Sequence, residues 1–538
     1  MNDTHQPKNQ PAPLEDYDAF ASNAWLAAAI RRCGVQWVEP QAAALGRFVG
    51  SAEAQRHAAA ANRFTPELKT HDARGNRIDA VEYHPSYHAL MSHAIGAGLH
   101  SLAWKREAGG FGARAALNYL WNQLEQGTSC PVTMTFASIP VFEHARLIER
   151  DWRAKVLADR YDPRPLPVAA KDGATIGMAM TEKQGGSDLR AVQTTAALHG
   201  GEYRLTGHKW FCSAPMSDAF FTLARLPEGV TCFFVARSLP DGTRNAFRIQ
   251  RLKDKVGNRS NASAEIEYED TIAWLVGEPG RGIPTLIEMA HHTRFDIVVA
   301  IAGMMRAALD HALNHARHRS AFGRVLVEQP LMVRVLADLA LEAEAAALLA
   351  FRLAQAFDAG RRDAREAALQ RALTPIAKYW LCKRMTPVAV EAMECLGGNG
   401  YVEESPLARL YREAPLNGIW EGSANVICLD ALRAFAKSPE AFEALADEIG
   451  AGDDRIQPMI GAVRSLLRDP ADAERNARMI VESLAVAVQA SLMRRHADGV
   501  AADAFGARLA NWGRSGAFGN VAADTDATRI LERLPPPA

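Results

Sequence analysis

The chain has 538 residues, enough for two to four domains, and 48% of them are hydrophobic and 23% charged, as in ordinary soluble proteins. Its formal net charge of −1 gives no global excess that would indicate nucleic acid or a membrane surface as a partner, although a local basic patch is not excluded. No apolar run approaches the roughly 20 residues of a membrane-spanning helix, so we expect no membrane partner.

The cysteines and the N-terminal segment indicate a cellular compartment. The seven cysteines are scattered singly, without a Cys-x-x-Cys pair, which is typical of reduced thiols in a cytosolic protein. The N-terminal segment is polar and lacks the basic and apolar regions of a signal peptide. We therefore predict a cytoplasmic protein, and we predict no metal site.

Helical periodicity dominates the chain up to about residue 164, and Ala113–Gln126 is an example with its large apolar residues on one face. Between about 165 and 278, short apolar or alternating runs are separated by turn residues, which is typical of strands. Gly200-Gly201 lies between two such runs and indicates a hairpin. We predict an N-terminal helical domain over 1–164 and a small β-sandwich or barrel over 165–278.

Long helical segments return after Gly282. They are Ile283–Arg317, Gln329–Asp358, Arg365–Leu396 and Ala424–Ala436. Four helices with short joints predict an antiparallel bundle over 279–437, and a more polar helical region follows over 438–538. The predicted fold class is therefore mainly α with a central β domain. No Gly-x-Gly-x-x-Gly follows a strand, so a Rossmann dinucleotide site is not supported.

Two motifs lie in the predicted β domain. Met178–Asp188 reads as a strand that ends in a Gly-Gly turn flanked by hydroxyls, whose N–H and hydroxyl groups can bind a phosphate or a heteroaromatic ring. Leu205–Ser213 has adjacent aromatics followed by a hydroxyl, which can stack on a ring and hydrogen-bond to it. Taken alone, the first is more typical of an ordinary β-turn and the second of core aromatics.

Two further motifs lie in the predicted bundle. Arg317–Gly323 ends a helix with cations that can pair with a pyrophosphate, or equally complement the helix C-terminus. Gly397–Tyr401 and Ile419–Asn425 follow, and in the second of these Glu421 stands between Trp420 and a glycine. An isolated glutamate is usually solvated or caps a helix, but one walled by an aromatic ring and facing a cofactor can act as a base.

Six motifs along the chain read TEKQGGSD, TGHKWFCS, KVGNRS, RSAFG, GGNGY and WEGS. Their order and spacing resemble the acyl-CoA dehydrogenase family over about residues 160–435. Within that family the sequence is similar to those of the AidB-type alkylation-response flavoproteins over nearly the whole chain. The resemblance implies the fold of that family with an extra C-terminal helical region, noncovalently bound FAD, a small acyl-CoA or related substrate, and a homotetramer.

The resemblance also implies roles for single residues. Glu421 takes the place of the general base, which removes the α proton while a hydride leaves the β carbon. Arg319 and Phe322 would reach the flavin of a neighbouring subunit. The residues expected to bind the cofactor are Met178, Met180, Thr181, Gly186, Ser187, Phe211, Ser213, Arg319, Phe322, Gln329, Trp420 and Asn425.

The chain also departs from the family pattern. Glu394 stands where the family usually has a glutamine that contacts the pyrophosphate, Trp420 replaces a tyrosine, and Asn425 replaces a glutamine. A larger ring beside the base narrows the pocket, so we expect poor turnover of ordinary acyl-CoA. One branch of the family carries its base at the position of Thr293, which leaves Glu421 as the candidate here.

The expected function is weak dehydrogenation of a short branched acyl-CoA of the isovaleryl-CoA type, with a role in the response to DNA alkylation that includes binding of double-stranded DNA. Composition does not support the DNA part, since residues 436–538 hold 12 Lys+Arg and 15 Asp+Glu. The arginines that could form a local basic stripe are Arg464, Arg468, Arg475, Arg478, Arg494, Arg495, Arg508 and Arg514. The alternatives are an ordinary metabolic acyl-CoA dehydrogenase without a nucleic-acid role, and a scaffold protein that has lost its chemistry.

Overall fold

The computed structural model describes residues 8–450, 456–511 and 526–534. The chain forms two compact units. The β unit comprises residues 56–110 and 125–296, and the helical unit comprises residues 1–55, 111–124 and 297–538. Each unit collects separate stretches of sequence, and the domain boundaries at 164, 278 and 437 stay a prediction.

Most of the strands lie between residues 176 and 276, and helices occupy most of the remaining described chain. The helices are α1 (Ala24–Arg32), α2 (Glu39–Gly50), α3 (Ala52–Arg63), α4 (Pro85–Gly96), α5 (Leu102–Lys105), α6 (Gly110–Trp121), α7 (Ser129–Ala137), α8 (Ile139–Phe142), α9 (Arg146–Val156), α10 (Gly282–His318), α11 (Pro330–Ala359), α12 (Ala364–Cys395), α13 (Pro406–Asn417), α14 (Ala424–Lys437), α15 (Pro439–Gly450), α16 (Gln457–Leu466), α17 (Pro470–Arg475), α18 (Ala477–His496), α19 (Gly499–Asn511) and α20 (Ala527–Glu532). The strands are β1 (Glu67–His71), β2 (Arg77–Glu82), β3 (Ile176–Ala179), β4 (Thr195–His199), β5 (Glu202–Ser213), β6 (Ala219–Leu226), β7 (Gly229–Ala236), β8 (Phe247–Leu252), β9 (Ser263–Val276), β10 (Ser320–Ala321) and β11 (Arg324–Val325).

The main sheet of the β unit closes on itself. Strands β4, β5, β9, β7 and β6 pair in that order, and β6 pairs back to β4, while β3 lies beside β6 and β8 beside β9. The predicted hairpin joins β4 to β5, and Gly200 and Gly201 both have positive φ, as a two-residue hairpin turn requires. The sheet is therefore a small barrel, and the prediction of a mainly α fold with a central β domain is confirmed.

Aromatic side chains fill the interior of this barrel. Phe220 and Phe247 stack with ring centroids 5.1 Å apart, and Tyr268 meets Phe247 edge-on at 6.0 Å. All three side chains are buried, together with Phe233 and Ile266. Burial of this apolar surface supplies the main stabilisation of the sheet and fixes the strands that carry the first two motifs.

The region up to residue 164, which was predicted as helical, also holds the hairpin of β1 and β2. Asp72 sets its turn, because its carboxylate accepts the N–H groups of Arg74 and Asn76. The helical reading of this segment was wrong, since Asp-x-x-Gly turn chemistry outweighed the surrounding helical periodicity.

The helical unit contains the predicted bundle helices. The observed α10, α11, α12 and α14 begin and end within one residue of the predicted segments, and α13 lies between the last two. Pro406 begins α13 at a position where its missing N–H costs nothing, and the Ser405 hydroxyl caps it. The turn between α13 and α14 carries Glu421.

Arginines of the last helices grip buried carboxylates of α11. Arg508 pairs with Asp338 and with Glu342, the latter at 2.5 Å, and Arg533 pairs with Glu344. These three acids are 4–5% exposed. We call this set the C-terminal clamp. It makes the region after residue 438 part of the same compact unit as the bundle.

Candidate active site

The first predicted cofactor motif forms a tight turn after β3. Met178 is buried at the end of that strand, and Met180 and Thr181 are half-buried. A side chain at Gly186 would place its Cβ 2.4 Å from the Thr181 hydroxyl oxygen, so only glycine fits there. Ser187 follows and is exposed. The close approach of Gly186 to Thr181 therefore requires the second glycine of the motif.

A fully buried ion pair holds this turn. Glu182 and Lys209 are both 0% exposed in their side chains, and the Lys209 Nζ lies 2.7 Å from Glu182 Oε1 and 2.7 Å from the Leu223 carbonyl oxygen. The carboxylate also accepts the Thr194 hydroxyl at 2.6 Å and the Gln193 N–H at 2.7 Å. Both carboxylate oxygens of Glu182 therefore accept hydrogen bonds, and these bonds offset the free-energy cost of burying the charge.

The two partners respond differently to burial. Burial alone would raise the pKa of Glu182, but Lys209 and the hydrogen bonds from Thr194 and Gln193 outweigh it and lower the pKa to about 2. Burial lowers the pKa of Lys209 to about 8, against the opposing pull of Glu182. Both pKa values are thus lowered, but the shift favours the charged form of Glu182, where the donors outweigh burial, and disfavours the charged form of Lys209, where burial outweighs the carboxylate. At neutral pH both groups are charged.

The second motif lies on β5, beside that turn. The Trp210 N–H donates to the Thr181 carbonyl at 2.8 Å, which ties the strand to the turn. The register of β5 against β9 shifts between Lys209 and Cys212, and this irregularity leaves Phe211 50% exposed beside the buried Cys212. Ser213 is half-buried, with its hydroxyl 3.4 Å from that of Ser263. The β unit therefore brings Thr181, Gly186, Phe211 and Ser213 into one region.

The third motif forms a short hairpin after α10. Phe322 and Gly323 both have positive φ at its tip, and the Phe322 side chain is fully exposed. Gln329 donates to the Ala321 carbonyl at 2.9 Å and fixes the hairpin. Arg319 donates to the carbonyl of Asn9, whose own side chain pairs with the N–H and carbonyl of Ser320. Glu394, at the atypical position, is exposed on α12.

The turn around Glu421 has an unusual backbone. Glu421 is half-buried and has a φ of +56°, the left-handed region that residues with a Cβ rarely adopt. Trp420 donates its indole N–H to the Asn417 side chain at 3.1 Å. Asn425, in the first turn of α14, is exposed and accepts from Arg478 at 2.8 Å. Backbone strain of this kind tends to persist at functional sites.

Sequence reasoning missed the residue that braces this turn. Lys378, on α12, is 1% exposed, and its Nζ donates to the Trp420 carbonyl at 3.0 Å and to the Gly422 carbonyl at 2.6 Å. It is the single charge in the apolar run ALTPIAKYWLC. A lone lysine in such a run was the available signal, because lysine is almost never fully buried without a partner. Glu182 and Lys209 were likewise visible inside motifs but were not singled out.

Comparison with known proteins places this chain. An AidB N-terminal domain family, described as the adaptive response protein AidB N-terminal domain, matches residues 9–163. The acyl-CoA dehydrogenase middle domain matches 177–271, and the C-terminal domain of that family matches 280–436. AidB of Escherichia coli (strain K12) is 46% identical over 476 residues, which are 87% of this chain and 88% of that protein. The chain belongs to the acyl-CoA dehydrogenase family.

Two further relatives agree with this assignment. Acyl-CoA dehydrogenase family member 11 of Caenorhabditis elegans is 31% identical over 428 residues, which are 75% of this chain and 69% of that protein. The solved structure titled Bd2924 apo-form superimposes with a TM-score of 0.82 at 28% identity, and covers 91% of this chain and 99% of that one. Members of the acyl-CoA dehydrogenase family are FAD-dependent oxidoreductases that act on CH–CH groups of acyl-CoA.

The residues of the β unit fit such a flavin cofactor. The turn at Gly186 admits no side chain, an exposed aromatic ring stands at Phe211, and hydroxyls flank both at Thr181 and Ser213. These are the groups that bind a planar ring and a phosphate. In the described residues, no cluster of three or more His, Cys, Asp or Glu side chains is arranged to hold a metal ion. Across the same ranges, no helix has the length and apolar character needed to cross a membrane.

Proposed function

We propose that this protein dehydrogenates a short branched acyl-CoA, of the isovaleryl-CoA type, with Glu421 as the general base. The observation that carries the proposal is the turn at Glu421. It sits at the place of the base in the family motif, in a left-handed backbone conformation, and is braced by a buried lysine. The ring of Trp420, larger than the usual tyrosine, supports a small substrate.

In the proposed reaction, different residues of the chain would move the proton, polarise the substrate and hold the cofactor. The Glu421 carboxylate takes the α proton of the thioester, and its own N–H can polarise the thioester carbonyl. When bound, FAD supplies the acceptor for the hydride that leaves the β carbon. Thr181, Ser187 and Ser213 would hold the cofactor through hydroxyl and backbone groups, and Phe211 would pack against its ring. Met178, Met180, Gly186, Gln329, Trp420 and Asn425 complete the proposed cofactor contacts.

Assembly and location are part of the proposal. The family resemblance supports a homotetramer in which Arg319 and Phe322 contact the flavin of a neighbouring subunit. The fully exposed ring of Phe322 at a hairpin tip suits such a contact. The seven cysteines are free thiols, which supports a cytoplasmic location.

Sequence similarity to AidB supports a second candidate function, which is binding of duplex DNA in the response to alkylation damage. The arginines proposed for it are largely committed elsewhere. Arg464, Arg475 and Arg495 pair with Glu443, Asp472 and Glu448, and Arg508 belongs to the C-terminal clamp. Arg514 lies outside the described residues. The dehydrogenase function is therefore the one that the geometry supports better.

Replacement of Glu421 tests the dehydrogenase proposal. Glu421→Gln keeps the shape and a polar side chain but removes the proton acceptor. We expect the purified yellow protein to retain FAD, while single-turnover bleaching by isovaleryl-CoA falls by about 10²–10⁴-fold. Glu474→Gln, which changes an exposed carboxylate on α17, is the matched control and should bleach at the wild-type rate. Equal rates in wild type and Glu421→Gln would refute the assignment of the base.

A further inference from the structure

The backbone at Glu421 requires an external restraint. A residue with a Cβ at φ +56° is in a sparsely populated conformation, which persists only where the surroundings fix it. Gly422 follows with φ +110°, and a side chain there would place its Cβ 2.9 Å from Ile427 Cδ1. Two successive residues thus leave the right-handed region between the end of α13 and the start of α14. Small changes in either would swing the carboxylate away from its position.

Lys378 supplies that restraint from a separate helix. Its ammonium bridges the carbonyls of residues 420 and 422, so its two hydrogen bonds flank Glu421 on both sides. These carbonyls belong to the turn between two helices, where peptide groups lack helical partners. Because Lys378 is 1% exposed, water has little access to these bonds, and charge-assisted bonds are stronger than neutral ones.

The end of α13 adds a second layer to the same brace. The Asn417 carbonyl accepts the Cys382 thiol at 3.0 Å, and Cys382 lies one helical turn after Lys378 on α12. The Asn417 side chain in turn accepts the indole N–H of Trp420. One face of α12 therefore holds the turn at both its beginning and its middle.

We propose that Lys378 is a positioning residue for Glu421: by gripping the peptide carbonyls on either side, it fixes where the carboxylate oxygen meets the substrate's α proton. The proposal rests on the proposed role of Glu421 as the base. Lys378 does not itself touch the reacting atoms. Its loss should therefore impair the chemical step and leave substrate binding in place.

Lys378→Met removes the charge and both hydrogen bonds while keeping an unbranched side chain of similar length. We expect the rate constant of flavin bleaching at saturating isovaleryl-CoA to fall by about 10–100-fold, the range typical of a misplaced catalytic group. The half-saturating concentration should stay within about twofold of wild type, since binding is not altered. FAD occupancy should be unchanged.

Lys171 offers a matched control in the β unit. It is also buried, and its Nζ donates to two carbonyls two residues apart, those of Asp162 and Arg164, as well as to Asp218. Lys171→Met should lower the melting temperature without slowing bleaching by more than about twofold, because it removes a structural brace far in sequence from the turn. A slowed chemical step in both variants would mean that loss of any buried lysine has this effect, and would overturn the inference.

The double variant Lys378→Met/Glu421→Gln separates the inference from the proposed function. If Lys378 acts through Glu421, the double variant bleaches as slowly as Glu421→Gln alone and no slower. A further drop would show that Lys378 acts independently, and the inference would fail. If Glu421→Gln alone bleaches normally, the proposed function fails. If Glu421→Gln is slow but Lys378→Met is fast, only the inference fails.

A measurement without cofactor or substrate completes the test. In the FAD-free protein, backbone amides of residues 418–423 should exchange hydrogen faster in Lys378→Met than in wild type or Lys171→Met. If Lys378→Met does not fold, Lys378→Gln retains a donor for one carbonyl, and should give intermediate exchange and an intermediate bleaching rate. Wild-type exchange in a folded variant would show that the lysine does not fix the turn.

Discussion

Two buried lysines each brace a turn, one in each compact unit, and they do so differently. Lys209 in the β unit meets a carboxylate that is itself buried and fully hydrogen-bonded. Lys378 in the helical unit grips main-chain carbonyls around a strained residue. In the first arrangement both charged side chains are buried, so each needs the other as its counter-charge. The second holds the backbone on both sides of a glutamate through its peptide carbonyls.

The comparison teaches that a buried lysine can secure a turn either through a carboxylate side chain or through main-chain carbonyls. A carboxylate consumed by a buried ion pair, like Glu182, has its pKa held at about 2 and cannot serve as a base near neutral pH. A lysine that binds main-chain carbonyls instead fixes the backbone of a turn directly.

The largest effect is expected from breaking the first brace. Lys209→Met would leave the Glu182 charge buried without its ammonium, and should lower the free energy of unfolding by about 3–5 kcal/mol. FAD should also be lost more readily, because the turn at Gly186 depends on that pair. The companion Lys209→Met/Glu182→Gln removes both charges and should recover much of the stability in urea unfolding. A single variant as stable as wild type would contradict the idea that the pair is a brace.

An intermediate effect should appear on acidification. The pKa of Glu182 is about 2 in the folded protein and near 4.5 when unfolded, so its ionised form stabilises the fold above about pH 4.5. This contribution, about 3 kcal/mol at most, is lost as the pH falls from about 4.5 towards 2. The free energy of unfolding of wild type minus that of Lys209→Met/Glu182→Gln should therefore shrink between pH 5 and pH 3. A difference that does not vary with pH would rule out this carboxylate as the source.

The smallest effect concerns the second brace. Trp420→Tyr restores the family residue and removes the indole bond to Asn417, which should cost about 1 kcal/mol of stability. Bleaching by longer acyl chains should become faster if the larger ring limits the pocket. Because Lys378 still holds the turn, bleaching by isovaleryl-CoA should change little. A large loss with the short substrate would indicate that Trp420, rather than Lys378, maintains the position of Glu421.

Much of the fold was predictable from the sequence because periodicity and turn residues act locally. The bundle helices were located within one residue, since long apolar stripes and the Gly360 and Gly397 stops leave few alternatives. The hairpin at 67–82 was missed, because its turn is set by a single aspartate, Asp72, within a sequence of otherwise helical periodicity. The family was predicted from six motifs in order and is confirmed.

The site was predicted only in part, for a physical reason. Motifs indicated Thr181, Phe211 and Glu421, whose assigned roles stay a prediction. They did not indicate the braces, because burial of a lysine depends on helices or strands that come together from distant sequence. Lys378 lies 43 positions before Glu421, and no local pattern connects the two.

The C-terminal clamp also constrains how related chains can differ. Three buried acids on α11 pair with arginines near the end of the chain, and one of them, Glu342, also pairs with Arg384 of α12. A lineage that lost the last helices would remove Arg508 and Arg533 from Asp338 and Glu344, whereas Glu342 would keep Arg384. We therefore expect positions 338 and 344 to change together with the terminal arginines. In sequences that lack the extension, these two positions should no longer be acidic, so that the length of a relative can be inferred from the middle of its sequence.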